Sequence, residues 1–134
     1  MKNYLRYISF FKFSVYKKKN RELLYYNFFE KFNFKPVRMY FIYNSNSKTV
    51  RGRHAHKKTR QIFSCISGSV TMNFYNRSGL LKSIKLNEKK NLSVITLKPV
   101  WLELSNFSSK CKLLILADKK FSKKDYLFDK NKVN

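Results

Sequence analysis

A chain of 134 residues has the usual size of one domain and can bury a single core without disulfide or metal staples. Hydrophobic residues at 43% and aromatics at 17% exclude a disordered chain, so one globular domain is expected over residues 1–134. The formal charge of +23 admits three readings: a diffuse lysine background, an anionic small ligand, or nucleic acid.

The lysines run from Lys2 to Lys132 without forming one stripe, so neither nucleic acid nor membrane is the expected partner. Cys65 and Cys111 lie in apolar runs, with no Cys-x-x-Cys pair. They read as buried, reduced thiols of a cytoplasmic protein. At the N-terminus, Arg6 and Lys12 interrupt the apolar residues of "MKNYLRYISFFKFSVYKKK" and no small-residue cleavage site follows, which argues against a signal peptide. No window approaches the roughly 18 apolar residues that a spanning helix needs.

In chain order, "YISFFKFSVY" and "ELLYYNFF" are expected to be strands joined through "KKKNR", with a helix as the alternative for the second. Seven further strands are expected at residues 38–44, 61–67, 69–76, 80–87, 92–97, 100–107 and 110–118. Each is short, rich in β-branched and aromatic residues and mostly alternating. Turn signals such as "SNS", "SGS", "NRSG" and "NEKKN" punctuate them at close spacing, which argues for an antiparallel sandwich or barrel over βαβ units. The segment 122–134 offers Ser122 as N-cap of a short helical turn, followed by a polar tail expected to fray.

Both histidines of the chain fall in "RGRHAHKK", residues 51–58. In an extended strand His54 and His56 project from one face and Ala55 from the other. Two imidazoles on one wall suit either metal binding or acid–base chemistry. Catalytic iron, manganese or zinc would also want a carboxylate and a third imidazole. Gln61 is a neutral, poor ligand, Leu102 is none, and the chain has no third histidine. A metal-free site without a cofactor is therefore expected, working by proton transfer near the ordinary imidazole pKa of about 6.5. Arg51 and Lys57 flank the pair with positive charge that suits an anionic substrate or a developing enolate, or forms a solvated basic edge.

The spacing His54-x-His56-x4-Gln61-x6-Gly68 resembles the first signature of the cupins, small jelly-roll barrels. "VRMYFIYN", "VRGRHAHKKTRQIFSCISGSV" and "PVWLELSNFSSKCKLLILADKKFSKKDYLFD" resemble a specific group, the WxcM-like (FdtA-type) dTDP-sugar 3,4-ketoisomerases, from Val37 to the end. The resemblance implies an all-β cupin-type jelly roll with a short C-terminal helical turn. It also implies a homodimer that exchanges N-terminal strands of residues 1–36, and metal-independent isomerisation of a dTDP-linked 4-keto-6-deoxy sugar.

Carried onto this chain, His54 takes the C3 proton and His56 supports transfer at the C4 side. Arg51 and Tyr43 match pocket-lining positions, while Gln61, Lys57 and Trp101 complete the expected substrate contacts. Two readings stand for Tyr43 and Trp101, ligand contact or packing. Relatives often carry a polar or basic residue where this chain has Leu102. A non-catalytic sugar-nucleotide-binding cupin is the alternative function.

Overall fold

The computed structural model describes residues 3–134; Met1 and Lys2, the start of the segment expected to exchange, lie outside them. Twelve strands form two five-stranded antiparallel sheets and one separate hairpin. They are β1 (Ile8–Lys12), β2 (Ser14–Lys18), β3 (Arg21–Tyr25), β4 (Arg38–Ile42), β5 (Arg51–His56), β6 (Gln61–Ser67), β7 (Ser69–Asn76), β8 (Gly79–Asn87), β9 (Leu92–Thr96), β10 (Trp101–Ser105), β11 (Lys112–Ala117) and β12 (Tyr126–Leu127). One sheet runs β1-β9-β6-β11-β4 and the other β12-β5-β10-β7-β8. This is the two-sheet arrangement expected for a jelly roll.

Alternation explains the core. Val70, Met72 and Phe74 of β7 point inward, as do Phe63 and Cys65 of β6 and Leu113 and Ile115 of β11. Leu102 and Leu104 of β10 join them between the sheets. Cys65 and Cys111 are both buried and unbridged. Burial, with Cys111 beside it, pushes the Cys65 thiol up to about 12, so it behaves as a small apolar residue.

A second, aromatic cluster covers the outer face of the first sheet around Phe11, Phe34, Ile62 and Ile95. It changes the reading of "ELLYYNFF". The strand ends at Tyr25, and α1 (Phe28–Phe32) follows. In a helix Phe28 and Phe32, four apart, share a face, and both rings reach Phe11, at 5.9 and 5.7 Å. Asn33 closes the turn in the left-handed region with φ 47°. Tertiary packing thus overrides the strand pattern after Tyr25.

The C-terminus also departs from expectation. Ser122 does precede a 3-10 turn, Lys123–Asp125, but its side chain makes no cap bond. Asp129 instead caps a second turn, Lys130–Lys132, by accepting from the Asn131 N–H. The tail does not fray: Val133 is fully buried against Ala55 and Trp101, and its carbonyl accepts from the Arg77 N–H at 2.9 Å. One buried apolar side chain and one backbone hydrogen bond dock an otherwise polar tail.

Among the described residues no helix is long and apolar enough to cross a membrane. Gly68, between β6 and β7, adopts φ +70°, and a Cβ there would lie 2.3 Å from Ser108 Oγ and 2.7 Å from the Cys111 nitrogen. Gly68→Ala should therefore combine left-handed strain with overpacking and cost about 2–4 kcal/mol. Urea unfolding of the variant measures it; a loss within experimental error of zero would contradict the packing described.

Candidate functional site: a histidine-walled cavity between the sheets

β5 carries both histidines and meets β10 through a bulge. Leu102 pairs with His54, but Glu103 pairs with Gly52, so the register shifts by one residue. Gly52 and Arg53 both adopt positive φ, 85° and 57°, as bulged residues do. A Cβ on Gly52 would lie 2.6 Å from the Leu102 carbonyl oxygen, so only glycine permits this approach.

The consequence is a change of face. Strict alternation would put Arg51 with Ala55, on the side away from the histidines; the extra residue lets Arg51 join them instead. Arg51, Gly52 and His54 line a cavity of about 410 Å³ with Arg38, Tyr40, Gln61, Leu102 and Tyr126. His56, Thr59, Thr96 and Lys98 line a recess of about 10 Å³ that shares His54, Gln61 and Leu102 with the cavity. The two imidazoles meet edge-on with centroids 5.1 Å apart, and the Tyr126 ring lies 4.8 Å from His54 and 4.5 Å from His56.

Hydrogen bonding sets the tautomers. His54 Nδ1 lies 3.0 Å from the Gly52 carbonyl oxygen, and a carbonyl only accepts, so Nδ1 carries the proton and Nε2 a free lone pair. His56 Nδ1 likewise donates to Asp125 Oδ2 at 2.9 Å. Its Nε2 is buried and has no hydrogen-bond partner among the described residues. Burial lowers both imidazoles below the ordinary histidine value. The Gly52 carbonyl and the Asp125 carboxylate each offset part of that, while the neighbouring His54 adds to the lowering at His56.

Burial acts to raise Asp125, but hydrogen bonds from Thr59, His56 and the Lys58 N–H outweigh it and hold the carboxyl below its usual range. The Lys58 N–H donates at 2.7 Å.

On the facing sheet all five residues of β4 touch the cavity, and Arg38, Tyr40 and Ile42 are its half-buried, inward set while Met39 and Phe41 are exposed at the rim. Burial pushes the Tyr40 phenol up to about 12, so it stays protonated. Gln61 Nε2 donates to the Tyr40 oxygen at 2.6 Å, which leaves the phenolic proton for another acceptor. The Arg38 guanidinium lies over the Tyr40 and Phe121 rings at 5.4 and 5.7 Å, with its buried Nε unpartnered.

The structure thus brings His54, His56, Arg51 and Gln61 together. It does not bring Tyr43, Lys57 or Trp101 with them. Tyr43, just past β4, is 58% exposed like Met39 and Phe41, on the outward set of that strand's alternation. Trp101 precedes Leu102, so it faces the other way and packs on Ala55 and Val133; of the two readings for each, ligand contact is the one that the geometry leaves without support. Lys57 is exposed and lines two basic clefts outside the cavity.

Sequence reasoning missed Arg38, Tyr40, Asp125 and Tyr126. Alternation from Ile42 back to Arg38 was a usable signal for the first two. Asp125 lies 69 residues from His56, and nothing local announces the pairing. Among the described residues no three His, Cys, Asp or Glu side chains group as a metal site, and Leu102 occupies the β10 position opposite His54.

Comparison with known proteins agrees with this architecture. The family model described as FdtA, WxcM-like, C-terminal, matches residues 6–134. A TDP-4-oxo-6-deoxy-alpha-D-glucose-3,4-oxoisomerase of Aneurinibacillus thermoaerophilus is 30% identical over 94 residues, 70% of this chain and 66% of that protein. The match thus spans slightly less than two thirds of the relative's length. The crystal structure of a sugar 3,4-ketoisomerase from Thermoanaerobacterium thermosaccharolyticum, in complex with TDP, superposes with TM-score 0.82 at 28% identity, covering 91% of this chain and 88% of that one. A 3,4-ketoisomerase from Helicobacter canadensis gives TM-score 0.82 at 30% identity, covering 91% and 90%.

The lowered imidazoles make a prediction about stability. In the unfolded chain both histidines protonate near pH 6.5, above their folded values, so the unfolded state binds more protons just below that pH. Stability should fall as pH drops below about 6.5. A further loss should follow below about pH 4, as Asp125 protonates. Urea midpoints from pH 7.5 to 5 measure the first slope; replacing both histidines with asparagine should flatten it, and an unchanged slope would contradict the burial of the pair.

Proposed function

The chain belongs to the FdtA (WxcM-like, C-terminal) family, and we propose that it is a metal-independent dTDP-4-keto-6-deoxy-D-glucose 3,4-ketoisomerase of deoxyamino-sugar biosynthesis. The observation that carries this reading is His54. Its Nδ1–H is held by the Gly52 carbonyl, so a neutral Nε2 lone pair is available at the wall of a cavity flanked by two arginines.

In this mechanism His54 Nε2 removes the C3 proton of the bound 4-keto sugar. The electron pair moves to form the C3–C4 double bond, and the C4 oxygen takes a proton to give the enediol. Tyr40, a protonated phenol whose oxygen already accepts from Gln61, serves as donor to a sugar oxygen. The C3 hydroxyl then gives its proton to the Tyr40 oxygen, restoring the phenol, C3 becomes the ketone, and the imidazolium returns a proton to C4. His56, held by Asp125, supports the second half through the recess that it shares with His54.

Arg38 and Arg51 supply charge for the diphosphate and for negative charge developing on the sugar oxygens. Leu102 opposite His54 adds no polar contact, which leaves the histidine pair as the source of acid–base function on that wall. The activated-sugar substrate and two reduced thiols fit a cytoplasmic location.

The protein also fits a homodimer. Among the described residues the β2–β3 hairpin pairs only with itself and exposes Val15, Tyr16, Leu23, Leu24 and Tyr25, while Met39 and Phe41 of edge strand β4 and Tyr43 just past it are exposed. An apolar hairpin of this kind suits exchange with a second copy. Light scattering should give a dimer, and Leu23→Glu with Phe41→Glu should shift it to monomer; a monomeric wild type would end this part of the reading.

Purified protein without added metal, incubated with dTDP-4-keto-6-deoxyglucose, should produce the 3-keto isomer by NMR. His54→Asn should lower turnover by about 10²–10⁴. Asp125→Asn, which removes a hydrogen bond to a charged group, should lower kcat about tenfold to a hundredfold with KM nearly unchanged. Tight dTDP binding with no isomer and no solvent deuterium in the sugar would point instead to a non-catalytic binding protein.

A further inference from the structure

Lys57, expected at the substrate, lies instead in a cleft of about 220 Å³ outside the histidine cavity. The turn at 57–59 and the segment from Lys119 to Asp125 form its walls, and five of its eight lining residues are lysines: Lys57, Lys58, Lys119, Lys120 and Lys124. Two hydroxyl residues, Thr59 and Ser122, and one acid, Asp125, complete the lining. That acid is already committed to the His56 ring and to the Lys58 and Thr59 N–H groups. The next acid along the chain, Asp118, is committed to Arg60, accepting from its Nε at 2.9 Å and from its backbone N–H at 2.8 Å.

Five lysines therefore line one cleft, and the carboxylates of Asp125 within it and Asp118 beside it already hold partners. Within a Debye length of about 8 Å such charges repel one another and concentrate anions. A neighbouring cleft shares Lys57 and adds Arg6, Lys98 and Lys132, so the positive potential extends beyond one loop.

We propose that the cleft between residues 57–59 and 119–125 is a binding site for phosphoryl groups, with a diphosphate as its minimal ligand. Lysine ammonium groups bind phosphate as point charges, and the Ser122 hydroxyl, free of any capping role, adds a directional donor. The volume takes one or two phosphoryl groups. No aromatic side chain lines the cleft, so nothing there stacks a nucleobase as single-stranded nucleic-acid sites do. The site is separate from the proposed sugar pocket, yet Asp125, which lines the cleft, also accepts from the His56 ring, so occupancy places an anion next to the carboxylate that orients His56.

The test requires no turnover. Calorimetric titration of inorganic pyrophosphate at about 150 mM NaCl compares the wild type with the triple variant Lys119→Gln, Lys120→Gln, Lys124→Gln. The expected result is a saturable binding step in the wild type that is about tenfold or more weaker in the variant, with any pyrophosphate bound at Arg38 and Arg51 common to both proteins. Dissociation constants for thymidine diphosphate should stay within about threefold between the two, and the His56 imidazole NMR signals should move with pyrophosphate only in the wild type. Equal pyrophosphate affinity in both proteins, an effect reproduced by sodium chloride at matched ionic strength, or parallel loss of thymidine diphosphate binding would each overturn the proposal.

Sedimentation with phosphatidylcholine vesicles containing phosphatidic acid separates the sources. Lysine-dependent co-sedimentation that pyrophosphate competes away assigns the phosphate to a lipid head group, and pyrophosphate binding without sedimentation assigns it to a soluble ligand. Should the triple variant fail to fold, a wild-type crystal soaked in pyrophosphate decides, with density against Lys119, Lys120 or Lys124 expected and its absence overturning the site.

Discussion

The site depends on the close approach of β5 to β10 at Gly52. The Leu102 carbonyl lies where a side chain at that position would begin, and the positive φ of Gly52 and Arg53 turns this contact into a bulge. From the bulge follow the face of Arg51, the position of the Gly52 carbonyl that fixes the His54 tautomer, and the placement of Leu102 across from His54. A side chain at residue 52 would disturb all three together, because one backbone contact sets them.

The second constraint comes from far along the chain. β12 pairs Tyr126 with His56 and Leu127 with Ala55, so the C-terminal segment adds the last strand to the sheet that bears the histidines. Asp125 at its start reaches His56 Nδ1, and Val133 at its end fills the space behind Ala55 and Trp101. The two faces of β5 are thus served by one segment: a polar contact from Asp125 orients the His56 imidazole on the inner side, and apolar contacts seat the strand on the outer. A buried imidazole with one ring nitrogen satisfied by a carboxylate keeps its orientation without being forced to carry charge.

Charge is distributed with the same economy. Few carboxylates balance the many lysines and arginines, and the two near the β5–β6 turn hold particular partners: Asp125 holds His56, and Asp118 holds Arg60. Arg60 in turn donates to the Phe32 and Asn33 carbonyls at the end of α1, tying the aromatic cover of the first sheet to the base of the site. Arg38 and Arg51 line the cavity, and other cations gather on the surface and in the clefts around Lys57, where they set the local potential.

By itself the sequence determined the strand-rich class, the boundaries of most central strands, the inward cysteines and the shared face of His54 and His56. These follow from local alternation and turn chemistry, which need no knowledge of neighbours. The motif spacing and family resemblance also pointed to Arg51 and Gln61 at the pocket. Only the tertiary structure decided the rest: the helix at Phe28, where an aromatic cluster outweighs strand pattern; the docked tail, held by the Val133 side chain and by the Arg77 N–H on the Val133 carbonyl; and the partner of His56, supplied from 69 residues away. It also placed Tyr40 at the cavity wall, with Tyr43 exposed and Trp101 packed on Ala55 and Val133. A strand's two faces are legible in sequence, but which face looks into a cavity depends on the opposing sheet and on a bulge, and those are properties of strands brought together.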